Sequence, residues 1–74
     1  MQQIRYPIII EKGPTSYGAY SPDLPGCVAA GDTLEEVREL MKKAIEMHIR
    51  GMIEDGEALP EPSEAEWVDV ALAS

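Results

Sequence analysis

Hydrophobic and polar positions along this chain change period from segment to segment, and each period predicts an element. In residues 6–11, Tyr6, Ile8 and Ile10 recur at every second position, and the run of isoleucines favours a pleated backbone, so the segment reads as strand one. Pro7 has no amide to donate and belongs at that strand's beginning or opposite a gap in pairing. Lys12-Gly13-Pro14-Thr15 is a turn, residues 17–20 are a second strand, and residues 27–30 a short third, which together make an antiparallel meander. From Leu34 the period lengthens. Leu34, Val37, Met41, Ala44, Ile45, His48, Met52 and Ile53 recur at steps of three and four, while Glu35, Glu39, Lys42, Lys43, Glu46 and Arg50 take the other side, the pattern of an amphipathic helix with one buried stripe. Thr33 and Glu36 have the spacing of a capping box at its start, with Asp32 and Glu35 as a one-residue-shifted alternative. Gly56 is a stop at its end, and Pro60 and Pro62 prevent resumption.

After an acidic, proline-containing connector over residues 57–64, the period of two returns. Val68, Val70 and Leu72 fall on one face of residues 67–72, which predicts a fourth strand. A strand-helix-strand sequence is normally a right-handed parallel crossover, so this strand is expected to lie parallel to strand one and beside it. The expected fold class is therefore α+β with the order β-β-β-α-β. A three-stranded antiparallel meander plus a parallel fourth strand gives sheet order 3-2-1-4, with one helix on one face and the other face partly open. That is a partial ribonuclease-H-like arrangement in a single domain over residues 1–74.

The link between strands two and three is Ser21-Pro22-Asp23-Leu24-Pro25-Gly26, ending at Cys27. Two prolines fix φ near −65°, Asp23 can close a side-chain turn and Gly26 can take a positive φ, so the connector is stiff. Leu24 is its only large apolar residue. It is expected to tuck against the core, or, if exposed, to touch a partner.

Composition narrows the function. A 74-residue chain leaves little net stability after conformational entropy is counted, so a homodimer, a higher oligomer or a bound partner is expected. Six lysines and arginines against 14 acids give a net charge of −8, which argues against direct nucleic-acid binding and favours a basic protein partner. The single cysteine, Cys27, allows no intramolecular disulfide and no cysteine-based zinc cluster, consistent with a reducing cytoplasm. Residues 1–5 lack the apolar core of a signal peptide, and no apolar run approaches the ~20 residues of a membrane span, so a soluble cytoplasmic protein is expected.

Candidate chemistry is sparse. His48 sits on the core stripe, and Glu46 and Arg50 point to other helix faces, so no group orients it as a general base. No basic residue lies within five positions of Cys27 to lower its thiol pKa. A metal-dependent nuclease of ribonuclease-H-like build needs converging carboxylates, and Glu11, Asp23 and Asp69 are dispersed over different segments. No catalytic residue, metal or cofactor is expected. Tyr17, Tyr20 and Trp67 can stack bases or cover an interface, and the net negative charge favours the interface.

The series Tyr17-Gly18-Ala19-Tyr20, Pro22-Asp23-Leu24-Pro25-Gly26-Cys27, Asp32-Thr33-Leu34-Glu35-Glu36 and Ala44-Ile45-Glu46-Met47-His48 resembles the HicB-like antitoxins over nearly the whole chain. The resemblance implies a partial ribonuclease H fold and a non-enzymatic role, that of masking a small basic HicA toxin that cleaves mRNA. Tyr20, Asp23, Leu24 and Trp67 are the candidate partner-binding residues. Many family members continue into a helix-turn-helix or ribbon-helix-helix domain; no such segment is seen here, so promoter binding by this chain is not expected. The alternatives are a solitary structural or oligomeric relative without a toxin, and a metal-dependent nuclease.

Overall fold

The computed structural model describes residues 3–73. Strands β1 (Ile9–Lys12), β2 (Tyr17–Tyr20) and β3 (Val28–Gly31) form an antiparallel meander in the order β1-β2-β3, and helix α1 (Leu34–Glu54) packs across β3 and β2. β1 begins at Ile9 rather than Tyr6, in keeping with Pro7's missing amide. The Tyr6 hydroxyl instead donates to the Pro60 carbonyl at 2.8 Å.

Both ends of α1 are closed. Thr33 is the N-cap, its Oγ1 accepting from the Glu36 amide at 3.1 Å, while Glu36 Oε2 accepts from the amide of Asp32 at 3.4 Å, one residue upstream of the reciprocal capping-box bond. The Glu36 side chain reaches that amide by lying over Gly31, where a Cβ would meet it at 3.1 Å. At the other end Gly56 takes φ +72°, its amide bonds to the Ile53 carbonyl at 3.1 Å, and the Glu57 amide bonds to the Met52 carbonyl at 2.9 Å. These two bonds are a Schellman motif.

The core is small: Ala19, Leu24, Cys27, Val37 and Met41 are buried, with Tyr6, Ile8, Ile10 and Tyr17 among the partly buried side chains packed around them. Leu24 reaches it because the connector folds back on itself. The Cys27 amide bonds to the Leu24 carbonyl at 3.1 Å across Pro25 and Gly26, and Gly26 has φ +83°, the geometry of a type II turn. The Ser21 amide then bonds to the Cys27 carbonyl at 3.1 Å and draws the two ends of the connector together. Ile53, placed on the buried stripe by its spacing, is exposed. A helix of 21 residues is about 31 Å long and overhangs strands of about 13 Å.

The fourth strand does not form. Among the described residues no helix or strand follows α1, so the sheet has three strands and the order 3-2-1-4 is not realised. Residues 59–62 return along residues 3–6 and reach the connector between β2 and β3, where the Ser63 amide bonds to Asp23 Oδ2 at 3.0 Å and its hydroxyl to Asp23 Oδ1. Beyond Ser63 the chain continues as an exposed arm whose Trp67, Val68, Val70 and Leu72 are 97, 81, 71 and 87% exposed. The radius of gyration, 14.8 Å, exceeds the roughly 11 Å of a compact chain of this length because of that arm. Alternation provides the apolar face of a strand, but a strand persists only on a ladder and under cover, and within one chain the arm has neither.

Leu24→Ala is expected to lower unfolding free energy by about 2–5 kcal/mol, as for other fully buried leucines, and Asp23→Ala by about 1 kcal/mol. Urea unfolding followed by far-UV circular dichroism measures both. Equal midpoints would contradict the placement of Leu24 in the core.

Candidate protein-binding surface

The register of the meander decides which side chains share its uncovered face. Ala19 is buried beneath α1, and Ile10 and Ala29, its partners on β1 and β3, pack on the same core. The intervening residues point the other way. Ile9 pairs with Tyr20 and Tyr20 with Val28, so these three form an apolar row across all three strands, exposed by 39, 39 and 64%. Gly18 and Ala30 form the next row, with Glu11 opposite Gly18. Small side chains there keep the face flat beside the aromatic ring.

The candidate partner-binding residues do not converge on one spot. Tyr20 is at the centre of the open face and Trp67 stands on the arm. Asp23, half-buried, holds the root of the arm through Ser63. Leu24, only 1% exposed, belongs to the core and is out of reach of a partner in the folded chain. Ile9 and Val28, which sequence reasoning did not single out, complete the row around Tyr20. Their period-two positions were visible, but only the register brings them together.

Cys27 and His48 line one shallow cleft with Val28 and Met47, a proximity that the sequence separation concealed. Burial pushes the Cys27 thiol pKa up, so the group holds its proton at neutral pH and is a poor nucleophile. Tyr6 is also pushed up, first by burial and then by the carboxylates of Asp23 and Glu61. Among the described residues no three His, Cys, Asp or Glu side chains are placed to hold a metal ion, and no helix is long and apolar enough to cross a membrane.

The fold and its surface define a small α+β domain that presents an open, flat sheet face. A sequence model of the HicB-like antitoxins of bacterial toxin-antitoxin systems matches residues 6–71, and the chain belongs to that family. An uncharacterized 14.9 kDa protein from the rep-hol intergenic region of Haemophilus phage HP1 is 51% identical over 82% of the chain and 46% of its own length. Antitoxin HicB 1 of Photorhabdus laumondii is 33% identical over 99% of the chain and 49% of its own length. The chain thus spans about half the length of these two relatives. Among solved structures, a chain of a HicA3 and HicB3 toxin-antitoxin complex superposes with a TM-score of 0.66 at 33% identity, covering 81% of this chain and 70% of that one.

The raised thiol pKa fixes a pH dependence. A group whose folded-state pKa lies above its unfolded value contributes stability that is fully present below the unfolded pKa and is lost as pH rises through the folded one. Stability is therefore expected to decline on the alkaline side, and Cys27→Ala should flatten that decline in melting temperatures recorded from neutral to alkaline pH. Iodoacetamide should modify Cys27 far more slowly in the native protein than in urea.

Proposed function

We propose that this chain is a non-enzymatic antitoxin that binds and masks a small, basic, HicA-type mRNA-cleaving toxin in the cytoplasm. The observation that carries the reading is its superposition, at 33% identity, on a chain taken from a HicA3 and HicB3 complex. Two properties of the molecule supply a physical route. The net charge of −8 attracts a basic ribonuclease and repels RNA, the ribonuclease's own substrate. The Ile9, Tyr20 and Val28 row offers apolar area on a face that α1 leaves uncovered.

The roles divide between charge and contact. Surface attraction is screened over ~8 Å at physiological ionic strength, so it governs encounter more than residence. Lasting affinity comes from desolvated anchors, for which Tyr20, flanked by Ile9 and Val28, is the best placed, with Trp67 as a second anchor from the arm. Asp23 acts indirectly by holding the arm's root, and Leu24 by holding the connector beneath the open face.

Where a short basic gene adjoins this one, co-expression of the two should rescue growth from its toxicity and yield a co-purifying complex. The association rate should fall as salt rises. Tyr20→Ala should raise the dissociation rate about tenfold or more with little change in the salt slope. Absence of both rescue and complex, with a toxic basic neighbour present, would remove the support for an antitoxin role and leave the solitary structural relative as the better reading.

A further inference from the structure

We infer that the arm, residues 64–72, is an exchange element, which docks in a groove on a second copy of this chain while that copy's arm docks here. The groove lies between residues 3–6 and the overhanging half of α1, with a volume near 550 Å³. Ile4, Ile45, Ile49 and Ile53 give it an apolar floor. Arg5, Lys42 and Arg50 stand along it, three of the six lysines and arginines in the whole chain, against the one acid Glu46, so the groove carries a net positive charge.

The arm is complementary to this groove in shape, polarity and charge. As a strand, residues 67–72 would span about 20 Å, and the helical wall from Lys42 to Ile53 is about 16 Å long. Val68, Val70 and Leu72 offer one apolar face to the isoleucines. Residues 64–72 carry Glu64, Glu66 and Asp69 and no lysine or arginine, so acids on the arm meet the cations on the rim. The cations that favour an acidic arm disfavour a basic toxin at this place. Residues 3–8 form no ladder and make no backbone hydrogen bond to another backbone segment among the described residues, so their carbonyls, and their amides other than at Pro7, are open to an added strand.

The arm's own groove is the wrong one for it. Residues 3–6 form one wall of the groove and also one wall of a second cleft, whose far side is residues 59–62. They therefore stand between the groove and the root of the arm, which Tyr6 and Asp23 hold on the outside through Pro60 and Ser63. A second copy has no such obstruction. Reciprocal exchange about a two-fold axis satisfies both arms and both grooves at once and leaves no open end for further growth. This self-association is independent of any toxin, and a failure of the antitoxin reading would leave it standing.

Light scattering on the full chain at rising concentration tests it. The wild type should approach twice its 8.1 kDa mass. The double variant Val68→Asp, Val70→Asp should remain at 8.1 kDa with an unchanged helical circular dichroism signal, since both side chains are exposed and the fold does not use them. The double variant Lys42→Glu, Arg50→Glu, altered only at exposed groove positions, should dimerise at least about tenfold more weakly. Mixing the two variants restores one intact arm opposite one intact groove and should give a heterodimer that neither forms alone. A wild type that stays monomeric to about 0.5 mM, or whose arm amides resist hydrogen exchange in the monomer, would overturn the exchange. So would an arm variant that dimerises like the wild type, or mixed variants that fail to associate when the wild type does.

Discussion

The burial of Leu24 is the contact on which this domain depends. A connector between two strands normally runs over the surface, yet this one turns back through Pro25 and Gly26 and places its one large aliphatic side chain beside Val37 and Met41. Among the described residues those three are the largest fully buried side chains, so sheet, connector and helix meet at one point. With so small a core, the contacts that settle α1 on the sheet are also those that aim the open face and the overhanging helix. Glu36 over Gly31 and the Schellman turn at Gly56 fix where the helix begins and ends.

Much of this architecture is legible in the sequence because it rests on local chemistry. Tyr17–Tyr20 has the bounds expected of the second strand, Thr33 caps as its spacing with Glu36 predicts, and Gly56 takes the left-handed conformation expected of a stop. The Pro25-Gly26 pair carries its turn type on its face. The apolar connector residue, Leu24, goes inward for the plain reason that no other residue nearby can fill that space.

What was not legible depends on distance in space. The period of Val68, Val70 and Leu72 specifies a strand face but contains nothing about which chain supplies the ladder, so a strand expected beside β1 stands free as an arm. The Ile9, Tyr20 and Val28 row needed the register, and the proximity of Cys27 to His48 needed the packing of α1 on β3. The overhang of Ile53 follows from the mismatch between a long helix and short strands, a comparison of lengths that periodicity alone does not make.

The position of Trp67 has a spectroscopic consequence. It is the chain's only tryptophan, and it stands almost wholly in water, away from the core that defines the folded state. Its emission in the native monomer is expected to be that of a hydrated indole, so heating or urea should dissolve the hydrophobic core while the tryptophan signal hardly moves. The same indole shifts to the blue when the arm is covered. Intrinsic fluorescence in this molecule is thus a gauge of what the arm touches, and tyrosine and amide signals must report whether the domain is folded.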